Sequence, residues 1–249
     1  MQRLLISLLA AASGPLAVRG GGNGWPNSLA QTPPRGWRSW NAVLGGINDT
    51  FIRAVADALV LRRHSLDGVP TSLADLGYNR VGLDDAWEAC GQGVNGSFHN
   101  AAGVMLWDAV KFPDVQGMVD YVHSLGLFID HYDNNDGCCE AGKVGPHYEQ
   151  DAAFLAAHGF DGAKFDSCGP APNMTEWAVA FNKTGRQMLI ENCNNQDPFR
   201  PTVQPDGSVF CPFNMFRTSI DNSPNFLSGV SNLLDSVAFF NVSGPGCWA

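Results

Sequence analysis

The chain has 249 residues, of which 45% are hydrophobic and 16% are charged, and its formal net charge is −9 at pH 7. This length and apolar content allow one large domain or two small ones with a sizeable core, and they argue against disorder. Because the chain is acidic and has no Lys/Arg run, we set aside nucleic acid as a partner. The 7 Trp and 15 Phe fit a neutral ligand such as a sugar.

The N-terminus predicts a signal peptide over residues 1–20. Arg3 supplies the positive start, and residues 4–12 form an apolar run that is too short to span a bilayer. An ordinary first helix is the alternative, but Gly and Pro follow directly and would break it. We therefore expect residues 21–249 to enter the secretory pathway, with an extracellular or vacuolar–lysosomal destination and no membrane span.

Secretion agrees with two further features of the sequence. Five Asn-x-Ser/Thr sequons begin at Asn48, Asn95, Asn173, Asn182 and Asn241. Seven cysteines are present, some of which would pair in an oxidising compartment, and the odd number leaves at least one over. Metal binding is the alternative use, but no Cys-x₂-Cys or His-x-His spacing occurs, so we predict neither a metal site nor a cofactor.

Short β-like runs alternate with helical patterns, which predicts parallel strands with covering helices. Strands are predicted at 36–40, 79–85, 127–132, 160–166, 188–193 and 214–221. Helices are predicted at 51–62, 114–125, 148–158, 177–187 and 226–239. A seventh strand would begin near residues 244–248.

The strand count leaves two α/β architectures to weigh. A (β/α)₈ TIM barrel needs eight strands, whereas a Rossmann or flavodoxin-like sheet needs fewer and fits the count. However, the Gly-x-Gly-x-x-Gly fingerprint is absent after the first strand, and so is the phosphate-loop motif.

Polar side chains collect where the predicted strands end. They are Asp84 and Asp85, Tyr132 and Asp133, Lys164 and Asp166, Asn192 and Asn194, and Arg217 and Asp221. One carboxylate at such a position is usually a helix cap or a turn residue. Several at successive ends of parallel strands indicate a functional site.

Alternation along the fourth strand places Lys164 and Asp166 on one face and turns Ala163 and Phe165 toward covering helices. A Lys beside an Asp would keep that carboxylate ionised, which suits a nucleophile. The alternative is a structural salt bridge.

A regular sixth strand would place Arg217, Ser219 and Asp221 on one face in the same way. Carboxylates of the fourth and sixth strands could then face each other, as in retaining glycosidases, where they lie about 5–5.5 Å apart. A metal-dependent hydrolase could use the same carboxylates but ranks lower without clustered histidines.

Six segments occur in an order that resembles glycoside hydrolase family 27, the melibiases. They are TPPRGWRSWN (32–41), LGYNRVGLDDAW (76–87), FP (112–113) with DYVHSLGL (120–127), KFDSC (164–168), FRTSID (216–221) and GPGCW (244–248). The resemblance covers residues 32–249. It implies a (β/α)₈ barrel and double-displacement hydrolysis of terminal α-D-galactosides, with galactose-containing oligosaccharides or glycans as substrates.

The resemblance also implies roles for individual residues. It places the nucleophile at Asp166 and the acid/base at Asp221. The implied sugar-binding residues are Trp40 as the floor, Asp84 and Asp85 at O4 and O6, Lys164 and Arg217 as positioning groups, Tyr132, and Asn194 near the 2-position. The implied disulfides are Cys168 with Cys138 or Cys139, and, as a further candidate, Cys193 with Cys211.

The sequence departs from the family pattern at three places. Ala86 replaces a common Cys, which removes one usual disulfide. Asn194 stands where many α-galactosidases have the Glu that reads the 2-position, so a β-L-arabinopyranosidase is a competing interpretation. The family continues beyond the Gly-Pro-Gly-x-Trp segment, so we expect a truncated barrel that lacks its last strand. An inactive galactose-binding protein is therefore a second alternative.

Overall fold

A computed structural model describes residues 27–134, 146–166, 173–193 and 200–249 of the chain. Its centre is a sheet of six parallel strands that follow one another in chain order. The strands are β1 (Gly36–Arg38), β2 (Arg80–Gly82), β3 (Phe128–Asp133), β4 (Gly162–Phe165), β5 (Leu189–Asn192) and β6 (Met215–Phe216). The sheet is therefore a partial α/β barrel, as the sequence predicted.

Four helices connect the strands from β1 to β5, and a fifth helix follows β6. They are α1 (Asp49–Val60), α2 (Val115–Ser124), α3 (Tyr148–His158), α4 (Met174–Thr184) and α5 (Phe226–Ser236). Shorter helical segments are Trp40–Val43, Leu44–Gly46, Ala74–Leu76, Val94–Gly96 and Val237–Phe239. Two hairpins pair His64–Leu66 with Val69–Thr71 and Thr202–Val203 with Val209–Phe210.

The helix ends follow from local side chains. The Asp114 carboxylate accepts the Gly117 N–H at the start of α2, and the Asn48 side chain accepts the Phe51 N–H at the start of α1. Gly159 ends α3 in the left-handed conformation, at the residue where the sequence predicted the end. Helix α4 begins three residues before the predicted 177 because the Asn173 side chain caps its first turn.

The core lies between the sheet and the helices. Phe165 stacks on Trp177 of α4 at 4.2 Å between ring centroids and also contacts Phe181. All three side chains are fully buried or nearly so. This contact confirms that Phe165 faces the covering helices, and Lys164 therefore points to the inner side of the sheet.

Two predicted strands are shorter than expected. Strand β1 ends at Arg38, and Trp40 begins a short helix. Strand β6 contains only Met215 and Phe216, so the predicted strand 214–221 is wrong beyond Phe216. The ladder stops because its partner β5 ends at Asn192, whose carbonyl accepts the Arg217 N–H as the last bond between them.

The predicted seventh strand is present only as its first contact. Trp248 forms an isolated parallel bridge with Met215, with hydrogen bonds from Phe216 N to Trp248 O and from Trp248 N to Asn214 O. Exposed apolar side chains lie on the neighbouring α5, as expected of an open barrel. Phe226, Leu227, Leu233 and Leu234 are all at least 65% exposed.

The predicted disulfide between Cys193 and Cys211 is wrong. Cys211 bonds to Cys247, and Cys193 is a free, buried thiol. Cys193 follows β5 beside Arg217, whereas Cys211 precedes β6 and lies near the bridge that Trp248 makes to that strand. The second predicted disulfide, Cys168 with Cys138 or Cys139, lies outside the described residues.

Candidate active site

A cavity of about 400 Å³ opens at the carboxyl ends of the strands. Five of the predicted site residues line it, namely Trp40, Asp84, Lys164, Arg217 and Asp221. The cavity therefore lies where parallel α/β barrels carry their reactive groups. Asp166, Asp85 and Tyr132 are not lining residues, although Asp166 and Tyr132 both lie next to the Lys164 ammonium. Asn194 lies outside the described residues.

Lys164 is the centre of the polar network. Its ammonium group donates a 2.8 Å hydrogen bond to Asp84 Oδ2 and lies 5.0 Å above the Tyr132 ring. Burial alone would lower the pKa of Lys164, but the carboxylates of Asp84 and Glu191 contribute to raising it above its ordinary value. The side chain therefore stays charged over the whole physiological pH range.

Asp84 is held from three sides. Its amide donates to the buried Ser39 hydroxyl at 2.9 Å, and its Oδ1 accepts the amide of Asp85 at 2.9 Å. Only 2% of the Asp84 side chain is exposed, and Lys164 provides the cation that compensates for this burial. The carboxylate is thus fixed at one wall of the cavity.

Asp166 lies beside the same lysine. Its Oδ2 is 3.6 Å from Lys164 Nζ, and 22% of its side chain is exposed. It is therefore more accessible than Asp84. The predicted juxtaposition of Lys164 and Asp166 on one face of β4 is confirmed.

Asp221 is an exposed lining residue of the cavity. Arg217 Nη2 donates to its Oδ1 at 2.7 Å, and 61% of the Asp221 side chain is exposed. Arg217 Nε binds the Ser219 carbonyl, so the segment turns back on itself instead of continuing as a strand. The two residues meet through this turn rather than through the strand alternation that was predicted.

Asp85 lies behind Asp84 in a carboxyl-rich loop. Its Oδ1 accepts the Ala86 N–H at 2.7 Å, and Glu88 Oε2 accepts the same N–H at 3.0 Å. Burial and the neighbouring Asp85 raise the pKa of Glu88 to about 9. Ala86 has a φ of 79°, a left-handed conformation that is costly for a residue with a Cβ.

Tyr132 forms the wall between Lys164 and this loop. It is 3% exposed, and its backbone carbonyl accepts the Trp87 indole N–H at 2.8 Å. Burial and the nearby charges of Asp166 and Asp85 raise the pKa of the Tyr132 phenol, which therefore stays neutral.

Three cavity residues were missed from the sequence. Arg38 and Glu191 form an ion pair with 2.7 Å between Nη2 and Oε2, and the Cys193 thiol accepts a 3.4 Å contact from Arg217 Nη1. Burial raises the pKa of Cys193 to about 12, which keeps the thiol protonated. Strand pairing gives a signal for one of them, because Glu191 lies beside Lys164 in the register of β4 and β5 and therefore shares its face.

The described residues contain no group of three or more His, Cys, Asp or Glu side chains arranged to hold a metal ion. In the same ranges, every helix is too short or too polar to cross a bilayer. The groups of the described site that can contact a ligand are the carboxylates of Asp84 and Asp221, the cations of Lys164 and Arg217, and the Trp40 indole.

These observations define a class of protein. It has an α/β barrel sheet with a cavity at the carboxyl ends of its strands, and the carboxylates of that cavity are paired with lysine and arginine side chains. The family model "Melibiase_2: Alpha galactosidase A" matches residues 32–249. The chain therefore belongs to the melibiase family of glycoside hydrolases, which confirms the resemblance read from the six motifs.

Known relatives agree with this assignment. The chain is 32% identical over 234 residues to an α-galactosidase of Cyamopsis tetragonoloba, covering 89% of this chain and 51% of the relative. It is 34% identical over 232 residues to α-galactosidase 3 of Arabidopsis thaliana, covering 89% and 48%. The chain thus spans about half the length of the curated relatives it matches.

Solved structures show the same fold. α-Galactosidase I of Mortierella vinacea matches with a TM-score of 0.66 and 28% identity, covering 90% of this chain and 59% of that one. An α-galactosidase of Saccharomyces cerevisiae with raffinose matches with a TM-score of 0.67 and 22% identity, covering 88% and 52%. A β-L-arabinopyranosidase of Geobacillus stearothermophilus has a TM-score of 0.62 and 15% identity, covering 88% and 61%, and supports the fold alone.

Proposed function

We propose that this chain carries the site of a retaining exo-glycosidase that hydrolyses terminal α-D-galactosides in oligosaccharides or glycans. The observation that supports it best is the cavity in which Trp40, Asp84, Lys164, Arg217 and Asp221 converge. An apolar ring beside fixed carboxylates and cations suits a sugar, which offers C–H faces and hydroxyl groups to the same site. The α-galactosidase relatives support galactose as that sugar.

In this proposal, Asp166 attacks the anomeric carbon while the bond to the leaving oxygen breaks. Lys164 Nζ lies 3.6 Å from Asp166 Oδ2 and places a positive charge beside the attacking carboxylate. Asp221 donates a proton to the leaving oxygen and then takes one from the water that releases the sugar. Its exposed side chain has room to turn from Arg217 toward that oxygen.

The remaining residues bind the sugar. Asp84 and Asp85 accept hydrogen bonds from its hydroxyl groups, and Trp40 packs against its apolar face. Arg217 orients Asp221, with which it already shares a 2.7 Å hydrogen bond. Tyr132 closes the inner wall as a neutral phenol, and Asn194 is assigned to the 2-position by resemblance.

Hydrolysis of p-nitrophenyl α-D-galactoside by the purified chain tests the proposal. Asp166→Asn should abolish turnover, because an amide cannot act as the nucleophile. Asp161→Asn is a matched control, since Asp161 pairs with Arg186 and His123 outside the cavity. Normal turnover by Asp166→Asn would reject the assigned nucleophile.

The same assay decides between the competing sugars. β-L-Arabinopyranoside is galactose without its C6 hydroxymethyl group, and the residue at position 194 motivates it as a substrate. Faster hydrolysis of the arabinopyranoside would change the assigned sugar but not the mechanism. Galactose binding without any turnover would instead support a galactose-binding protein.

We also propose that the protein enters the secretory pathway through the signal peptide predicted at residues 1–20. The Cys211–Cys247 disulfide supports this because such bonds persist in oxidising compartments. N-terminal sequencing of protein recovered from the medium would test it.

A further inference from the structure

The bottom of the cavity is an ion pair to which the family resemblance gives no role. Arg38 Nη2 lies 2.7 Å from Glu191 Oε2, and both side chains are about one-fifth exposed. The same two residues line a second cavity of about 300 Å³ on the other side, which also reaches Arg80 and Asp130. The pair therefore separates the sugar cavity from the interior of the barrel.

The fold makes room for Arg38 at this position. A Cβ at Gly82 would lie 3.0 Å from the guanidinium carbon, so a larger residue there would press on the guanidinium in this position. Arg38 Nη1 donates to the Leu83 carbonyl at 3.0 Å and approaches the His131 carbonyl at 3.5 Å. One guanidinium on β1 thus contacts β3, β5 and the residue that follows β2.

Arg38 stands between two carboxylates and binds only one of them. Its Nε lies 4.0 Å from Asp84 Oδ2, beyond hydrogen-bond distance, whereas its Nη2 binds Glu191. Asp84 Oδ2 already accepts the 2.8 Å bond from Lys164. A movement of about 1 Å by Arg38 would place a second cation on the same oxygen.

We propose that Glu191 is a positioning residue that acts through Arg38. By holding the guanidinium at the cavity floor, it leaves Lys164 as the one cation among the described residues that donates a hydrogen bond to Asp84, so that Asp84 can also accept hydrogen bonds from a sugar hydroxyl. This inference rests on the proposed function, because it assigns Asp84 to the sugar. Without the Glu191 charge, Arg38 closes on Asp84 and competes with the sugar for it.

The first test is structural and needs no sugar. Glu191→Gln keeps the side-chain volume but removes the charge that holds Arg38. A crystal structure of this variant should show Arg38 Nε within about 3 Å of Asp84 Oδ2. A guanidinium that stays about 4 Å from Asp84, as in the parent chain, would contradict the proposal.

The second test measures D-galactose binding to the full chain by calorimetry. Glu191→Gln should raise the Kd about tenfold, because the interaction energies between contacting residues correspond to changes in Kd of about this size. Glu191→Asp, which keeps the charge, should stay within about threefold of the parent. The Arg38→Met, Glu191→Met double variant should also recover to within about threefold, because it removes the competing cation with its partner.

Recovery of galactose affinity in the double variant distinguishes a positioning role of Glu191 from a purely structural one. A pair that only supports the fold would leave the double variant as weak as Glu191→Gln or weaker, and that result would overturn the inference. Galactose binding by the parent with no loss in Glu191→Gln would overturn this inference alone. A folded parent that binds no galactose would contradict the proposed function and the affinity argument with it.

Discussion

Lys164 and Asp84 lie 80 residues apart in the chain, yet Lys164 Nζ donates a 2.8 Å hydrogen bond to Asp84 Oδ2 across the intervening strand β3. Both side chains are less than one-tenth exposed. Two buried charges of opposite sign compensate for each other's desolvation, so each depends on the other. The pair therefore connects the stability of the barrel to the geometry of its site.

We predict that Lys164→Met lowers the free energy of unfolding by about 3–5 kcal/mol, because Asp84 would remain buried without its cation. The matched control is Lys183→Met, since Lys183 pairs with Glu149 on the surface, where both side chains are at least 60% exposed. This control should change the free energy by about 1 kcal/mol at most. Urea unfolding of both variants measures the difference, and equal losses would contradict the prediction.

A second prediction concerns Asp221 as the acid/base. Asp221→Asn should lower kcat/KM about 10²- to 10⁴-fold for galactosides with poor leaving groups, which need a proton on the departing oxygen. An activated dinitrophenyl galactoside needs no such proton, so its cleavage should change far less. Added azide should partly restore turnover by attacking the glycosyl–enzyme intermediate in place of activated water.

Asp235→Asn is the matched control for this experiment. Asp235 belongs to α5 and is exposed, and it does not line the cavity. It should leave the kinetics of both substrates unchanged. An Asp221→Asn variant that loses activity equally on both galactosides would show that Asp221 is not the proton donor.

The sequence predicted the elements whose signal is local. Periodicity and capping found the helix 148–158 with its Gly159 end, and alternation turned Phe165 toward the helices and Lys164 inward. The sequence-based prediction failed where the length of an element depends on the strand beside it. Strand β6 was predicted to reach Asp221, but a strand lasts only as far as its partner, and β5 ends at Asn192.

Pairings between distant positions were the least predictable part of the site. Arg38 and Glu191 are 153 residues apart, and only the register of β1 to β5 brings them together. The cysteines show the same limit. Seven cysteines allow many connectivities, and the structure joins Cys211 to Cys247 rather than to Cys193.

The Cys211–Cys247 disulfide leads to a third prediction. The bond closes a loop with a sequence separation of 36 residues, so Cys211→Ala should lower the free energy of unfolding by about 2–4 kcal/mol. Cys193→Ala removes a thiol that is similarly buried but free, and it should cost about 1 kcal/mol. Peptide mapping without reduction checks the pairing, and a recovered Cys193–Cys211 peptide would contradict the structure.

The fourth prediction uses the raised pKa of Glu88. Burial and Asp85 raise the pKa of Glu88 from 4.5 to about 9, and Asp133 adds to the effect. The nearby Lys111 ammonium donates its hydrogen bond to the Ala86 carbonyl. Between these two values the folded state holds a proton that the unfolded state has released. Folding stability therefore decreases as the pH rises through this window, and it is highest below the ordinary Glu pKa.

Glu88→Gln should remove this dependence, because the amide carries no charge at any pH. The parent should lose at most about 4 kcal/mol relative to Glu88→Gln between about pH 5 and about pH 8. Glu176→Gln, on the exposed side of α4, should keep the parent's slope. Urea unfolding across the pH range measures all three proteins, and parallel curves for the parent and Glu88→Gln would show that Glu88 ionises as freely in the folded chain as in the unfolded one.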